Sequence, residues 1–213
     1  MNSIEYHLTE LKISLDRNDK RRILPRILDS DKVILDIGCG IGQTFIALNC
    51  KDRICIGIDN DADAIRYGIQ RYGHKIQFIL SDAQHIPLPA KTVHLVFSRV
   101  SLPYMNIPKV LKEIRRVLQN GGRVWMTLHD RSVATNFLKE AMNLWIIHNF
   151  IYAIYILING YILKYFGVVF PYFDGNYESW QDTGAMKKLL IRNGFKVYVH
   201  MVGRHTVIEG RLS

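Results

Sequence analysis

Apolar residues follow two rhythms along this chain. Short continuous runs recur through the first two-thirds, at 31–37, 53–59, 75–80, 92–97 and 123–128. Each is six or seven residues long and bounded by polar or glycine-containing turns, the pattern of strands buried on both faces. Helical spacing takes over between them. Residues 44–48 predict a short helix. Residues 61–72 place Ala64, Ile65, Gly68, Ile69 and Tyr72 on one side of a longer one. In 107–118 the apolar positions Ile107, Val110, Leu111, Ile114, Val117 and Leu118 repeat at helical spacing, an amphipathic helix. Asn120-Gly121-Gly122 is expected to end it with a left-handed cap. Strands alternating with helices predict an α/β fold with a parallel sheet covered on both faces. The end of the chain differs. A helix over 185–193, closed by Gly194, precedes two strands at 195–201 and 206–211, an antiparallel hairpin on the sheet edge.

One segment fits neither rhythm. From Ala141 to Leu163 there are 23 consecutive residues without a charged side chain. Such a window is long enough to be weighed as a membrane span. His148, Asn149, Asn159 and Gly160 interrupt it, and two strands of the sheet follow it, so they must return to the same side. Three readings stand at this stage: a hydrophobic helical lid over an apolar ligand, a helix lying on a membrane surface, and a true span. A pair of buried helices completing the core, without special specificity, is the plainer alternative.

Composition narrows the classes. The chain has 213 residues, 48% hydrophobic and 22% charged, the length and balance of one folded domain, 1–213, with an insertion at 131–178. Three cysteines, Cys39, Cys50 and Cys55, have neither paired nor zinc-binding spacing and fit a reducing cytoplasm. The first 30 residues alternate charged and apolar positions without a secretory core. The net charge of +9 has two readings: nucleic acid, or the plainer one of solubility or attraction to acidic lipid or substrate. No basic tract interleaved with aromatics supports nucleic acid as a partner, and the densest cluster, Lys20-Arg21-Arg22 with Arg26, is short.

The candidate chemistry sits at strand ends. Asp36-Ile37-Gly38-Cys39-Gly40-Ile41-Gly42 closes the first strand before a helix. Glycines there let the backbone turn tightly and approach a ligand with no Cβ in the way. The G-x-G-x-G spacing departs from the dinucleotide pattern, and there is no phosphate-loop lysine. Asp59 ends the second strand, 23 residues after Asp36, where a carboxylate can accept both hydroxyls of a ribose. Its plainer alternative is a helix N-cap. Ser81-Asp82-Ala83 ends the third strand and offers a carboxylate and a backbone N–H to an adenine edge. Convergence at neighbouring strand ends marks the crevice where open α/β sheets bind ligands.

Taken together, the segments 33–42, 58–59, 81–88 and 110–122 resemble the class I S-adenosylmethionine-dependent methyltransferases, in their small-molecule, ubiquinone/menaquinone-type branch. The resemblance covers roughly residues 30–130. It implies a Rossmann-like, seven-stranded mixed sheet whose last strand is antiparallel, with a helical apolar insertion after strand five. It implies S-adenosyl-L-methionine as cofactor, with no metal. Gly38, Cys39 and Gly40 would pass its methionine part and Asp36 would order that loop. Asp59 would hold the ribose, Asn60 would stack beside adenine, and Asp82 and Ala83 would meet the adenine edge. Phe97 and Ser98 would offer backbone to the methionine amino group.

A sulfonium methyl is already activated, so positioning and water exclusion supply much of the rate. A base is needed only if the acceptor must lose a proton. Arg99, Tyr104, His129 and Asp130 lie near the ends of strands four and five; His129 and Tyr104 are the catalytic candidates, with a loop histidine and a pocket wall as their plainer roles. The Ser98–Tyr104 stretch departs from the [DNS]-P-P-[YF] signature of amino-group methylation on nucleobases or glutamine. In the family the chain resembles, insertions after strand five cover the acceptor site, so the apolar 131–178 segment implies a small, hydrophobic acceptor; the alternatives are RNA or peptide methylation, or a non-catalytic cofactor-binding subunit. Peripheral membrane contact through 141–163 is a further expectation.

Overall fold

A computed structural model describes residues 2–143, 147–203 and 205–213. Trp145, in the uncharged window, and Arg204, between the last two predicted strands, lie outside them. Helix α1 (Ser3–Leu15) precedes β1 (Val33–Ile37), α2 (Gln43–Leu48), β2 (Ile54–Asp59), α3 (Ala62–Tyr72), β3 (Gln77–Leu80) and β4 (Val93–Ser98). Helix α4 (Ile107–Val117), β5 (Leu118–Leu128), α5 (Arg131–Asn143), α6 (Ile147–Phe166), α7 (Thr183–Arg192), β6 (Phe195–Val202) and β7 (His205–Leu212) follow. The strands form one sheet in the order β3-β2-β1-β4-β5-β7-β6. The first five are parallel; β7 runs antiparallel between β5 and β6, so the terminal hairpin closes one edge.

The two-residue strand period divides the core. Leu35, Ile37 and Val96 face α4 and α7, while Ile34, Leu95 and Phe97 pack on the other face with Phe45 and Trp125. On α4, Ile107, Val110, Leu111, Ile114 and Val117 are all fully buried, as the helical stripe predicts.

One local expectation is corrected, and one plainer alternative is set aside. Asn120-Gly121-Gly122 does not cap α4. That helix stops at Val117, and Leu118 goes directly into extended backbone paired with Val93. Burying Leu118 beside Val117 completes the core, and the glycines instead form an irregularity inside β5: Gly121 has φ +74°, and pairing resumes at Leu95–Arg123. Nor is Asp59 a helix cap. Asp61 is, its carboxylate accepting from Asp63 N and Ala64 N at 2.9 and 3.0 Å.

The uncharged window supplies most of α6. Among the described residues, no helix is long and apolar enough to cross a membrane. The residues that interrupt the window explain why α6 stays against the protein. Buried Asn159 donates through Nδ2 to the Phe170 and Glu178 carbonyls at 3.1 and 2.8 Å, and its Oδ1 accepts from Phe170 N at 2.9 Å. Gly160 faces Trp180 so closely that a Cβ would meet the indole at 2.1 Å. The indole Nε1 donates to Leu157 O at 3.1 Å. These contacts fasten α6 to the 167–182 segment.

Asn159→Leu should therefore strand buried amide and carbonyl groups. It is expected to lower unfolding free energy by about 3 kcal/mol, given ~1–3 kcal/mol for each unsatisfied buried group. Chemical denaturation checks this; a loss below about 0.5 kcal/mol refutes the role assigned to Asn159.

Candidate functional site

At the carboxyl ends of β1 to β4 lies a cleft of about 470 Å3. Its inner wall is built by the chain turn after β1. Parallel register sets Ile37 beside Ile58, so the two strands end level. The Ile58 carbonyl then accepts from both Gly38 N and Cys39 N, at 2.9 and 3.0 Å. Asp59 continues the attachment: its Oδ2 accepts from Gly40 N at 2.7 Å and its Oδ1 from Asp61 N at 3.0 Å. Gly38 and Gly40 both have positive φ, +73° and +52°. A Cβ on Gly38 would run into Ser101, and one on Gly40 into the His7 ring, at 2.3 and 2.2 Å. Glycine is needed at both for conformation and for space.

Asp36 lies beneath this loop, buried, with neither carboxylate oxygen hydrogen-bonded. Burial pushes its pKa well above the ordinary carboxylate value; the Arg99 guanidinium opposes that, and Asp59 reinforces it. A buried carboxylate without a partner is costly to keep, and a cationic ligand would relieve it. Glu10, Asp59, Asp61 and Asp82 line the cleft, against one arginine, Arg99. Arg99 is itself tied to Glu10 at 2.9 Å and to Thr44 Oγ1 at 3.2 Å. On a chain of net charge +9, this is an acidic cleft suited to a cation. The glycine edge, the orphaned Asp36 carboxylate and the acidic lining all fit S-adenosylmethionine, whose sulfonium and amino groups are positive.

The predicted residues divide. Gly38, Asp59, Asn60, Asp82, Ala83 and Tyr104 line the cleft. Asp82 is braced by Gln84, whose N and Nε2 donate to its two oxygens at 2.8 and 2.7 Å. Cys39 and Gly40 lie behind the lining; the Cys39 side chain is buried against Gly57, and burial raises its thiol pKa. Phe97 and Ser98 do not reach the cleft. Phe97 stacks edge-on with Phe45 at 5.3 Å in the core, and the Ser98 and Ser101 hydroxyls pair at 2.7 Å. The lining begins one residue later, at Arg99, Val100 and Ser101, because β4 runs through Ser98 before it turns. Val100 has φ +63°, unusual for a β-branched residue, and its N–H donates to Thr127 Oγ1 at 2.9 Å. Such strain is common where backbone is held for a ligand.

His129 is also outside the lining. Its ring packs edge-on to Tyr104 at 6.4 Å, its N–H donates to Gln181 Oε1 at 2.8 Å, and its carbonyl accepts from Gln181 N at 2.8 Å. Strand β5 ends at Leu128 and the chain turns at once into α5, with Asp130 accepting from Ser132 N at 2.7 Å. Burial and nearby His205 lower the His129 pKa, so its ring is neutral at pH 7. Tyr104 stays a protonated phenol, its pKa raised by burial and by Glu178.

The far walls come from segments the motifs do not include. Helix α1 supplies Tyr6, His7 and Glu10, and the segment after α6 supplies Gly175, Asn176 and Tyr177. Tyr152 on α6 completes them, its hydroxyl donating to Glu178 Oε2 at 2.7 Å. Helix α1 is held by the Glu10–Arg99 pair, by Ser3 donating to Asp61, and by His7, whose Nδ1 lies 3.4 Å from Gln43 Nε2. No spacing rule foretells these contacts; an Asn2-to-Glu5 capping box, present in the structure, was the one local sign of α1.

Comparison with known proteins follows the same outline. The family described as "Methyltransferase domain" matches residues 35–126. A malonyl-[acyl-carrier protein] O-methyltransferase of Marinomonas is 28% identical over 46% of this chain and 38% of its own length. A sterol 4-C-methyltransferase of Caenorhabditis elegans is 30% identical over 42% of this chain and 28% of its own length. The chain thus spans well under half the length of these curated relatives. Among solved structures, a SAM-dependent methyltransferase of Thermotoga maritima superposes with TM-score 0.66 at 15% identity, over 99% of this chain and 95% of that one. Magnesium protoporphyrin IX methyltransferase of Synechocystis, solved with bound SAH, gives 0.55 at 15% identity, over 86% and 74%. These likenesses establish the fold.

Asp59→Ala removes the anchor of the glycine loop. It is expected to weaken S-adenosylmethionine binding by at least about tenfold, since a charge-assisted hydrogen bond contributes ~1.5–3 kcal/mol. Isothermal calorimetry measures it; unchanged affinity removes Asp59 from the site.

Proposed function

We propose that this chain, a member of the class I S-adenosylmethionine-dependent methyltransferases, passes the methyl group of that cofactor to a small organic acceptor. One observation carries the reading. The acidic, glycine-edged part of the cleft runs continuously into a part walled by Tyr104, Tyr152, Asn176 and Tyr177. A single cleft thus offers room for a cationic cofactor and a compact partner, within the range of small-ligand sites. Walls from α1 and from the segment after α6 narrow it on two sides, which favours a small molecule over RNA or peptide. The relatives act, by their names, on malonyl-acyl-carrier protein and on sterols.

The cofactor supplies an activated methyl on a positive sulfur. The chain's residues do the rest. Asp36 would offset the cofactor's positive charge from beneath the loop. Asp59 would accept the ribose hydroxyls, and Asp82 with Ala83 N–H would hold the adenine edge. Asn60, at the rim, would lie beside that ring. Tyr104 and Tyr152 would pack on the acceptor and exclude water. The Glu178 carboxyl, its pKa raised by burial, sits one hydrogen bond behind Tyr152. It gives the wall a proton acceptor if the acceptor atom must lose a proton. His129, behind Tyr104, would support that ring rather than meet the acceptor.

Two measurements test this. Labelled methyl from S-adenosylmethionine should enter a molecule of a low-molecular-weight cell extract. Tight cofactor binding with no transfer to any fraction would instead leave a non-catalytic binding subunit. The second follows from Asp36. Its raised pKa in the free protein must fall when a cation binds beside it. Between the ordinary carboxylate value of about 4 and the raised value, binding should release a proton, and affinity should drop as pH falls through that window. Calorimetry in buffers of different ionisation heat reads the proton. Asp36→Asn should abolish the release; a wild-type binding heat independent of buffer refutes the linkage.

A further inference from the structure

The structure leaves one feature of the uncharged window unused. Ile147, Ile151, Ile154, Ile158, Tyr161 and Tyr165 on α6 are between 36% and 76% exposed. At ~100° per residue all six fall within an arc of about 80°. Ala153, Ile156, Asn159, Gly160 and Leu163, the residues that fasten α6, occupy the opposite side and are buried. The core therefore uses chiefly one face of α6; on the other, Tyr161 packs edge-on to the Trp180 ring at 5.1 Å. That outer stripe holds four isoleucines and two tyrosines over about 27 Å. Phe166, the last residue of α6, and Phe173, in the segment after it, are 75% and 94% exposed. Exposed apolar residues gathered on one helix face in this way mark an interaction site.

We infer that this face of α6 docks on an anionic lipid surface. Charge selects the occupant. Residues 131–166 hold three basic side chains and one acidic, and the chain carries +9 overall. Arg131 stands at the stripe, its Nη1 donating to Tyr161 Oη at 2.9 Å. Lys164 lies 5.8 Å from the Tyr165 ring centre, though it also pairs with Asp182. A second copy of the chain would bring a like-charged body to the same face; an anionic bilayer brings the opposite sign. The side-chain pattern agrees. Isoleucines occupy the first part of the stripe and tyrosines its end, rings that seat at the level of lipid headgroups. The hydrogen bonds of Asn159 hold the other side of α6 on the protein, so the helix lies along the surface rather than through it.

Co-sedimentation of the full chain with vesicles decides this, using phosphatidylcholine alone and an equimolar mixture with phosphatidylglycerol. The protein should pellet with the anionic vesicles and release as salt rises. The double variant Ile151→Glu, Ile158→Glu, both positions already exposed, should keep its circular dichroism and its affinity for S-adenosylmethionine. It should bind anionic vesicles at least about tenfold more weakly, since it loses two inserted aliphatic side chains and adds two negative charges. Retained cofactor affinity separates failure at this surface from failure at the cleft. The inference is overturned if wild type does not pellet, if wild type and variant pellet equally, or if neutral vesicles bind as well as anionic ones. It is also overturned if light scattering shows a dimer that the double variant abolishes, which would assign the face to a second copy.

Discussion

The attachment of the glycine loop to the end of β2 is the constraint on which the site depends. Two parallel strands end level, and the Ile58 carbonyl and the Asp59 carboxylate take up three consecutive N–H groups, those of Gly38, Cys39 and Gly40. The turn has three left-handed glycines, Gly38, Gly40 and Gly42, and the bond from Gly42 N to the Cys39 carbonyl at 2.9 Å ties only its far end. Fixed from the neighbouring strand, it becomes a rigid edge along which a ligand can approach the backbone. Asp59 is thus a structural brace, and its carboxylate has lone pairs beyond the two that the brace uses.

Electrostatics follow from that geometry. The loop covers Asp36 and excludes water from it, and no protein group hydrogen-bonds it in return. Arg99, the cation nearest this group, is shared with Glu10 and Thr44, so it steadies α1 as well as moderating the charge beneath the loop. The result is a negative cleft inside a positive protein. The chain's overall charge therefore says little about what enters the cleft, and more about the surfaces it approaches from outside.

Helices α5 and α6 solve a different problem. A long apolar helix inserted between strands must be held without polar rungs of its own. Asn159 and Gly160 provide the hold, one by saturating backbone groups of the returning segment and the other by admitting the Trp180 ring. Once that side is fixed, Tyr152 reaches the cleft and the opposite stripe is left to solvent. The helix therefore links the cleft to an outer surface.

Local chemistry made much of this legible in advance. Strand runs, the amphipathic stripe of α4, the glycine spacing and acidic residues at two strand ends all act within a few residues, so periodicity and residue type were enough to locate them. The same local reading erred where two local solutions compete. Gly121-Gly122 suits a helix cap as well as a strand irregularity, and burial of Leu118 chose the strand. It placed Phe97 and Ser98 at the ligand and His129 near it. One more residue of strand moved the lining to Arg99, Val100 and Ser101, and an immediate helix start set His129 behind Tyr104. It could not foresee Tyr6, His7, Glu10 or Tyr177 in the cleft, since their places are set by packing between segments far apart in the chain. By itself the sequence determined the sheet, the loop and the carboxylates at the strand ends, because hydrogen bonding and hydrophobic period work over short distances. Only the tertiary structure decided the outer walls of the cleft and the exposed face of α6, because these depend on which surfaces remain uncovered once every element has packed.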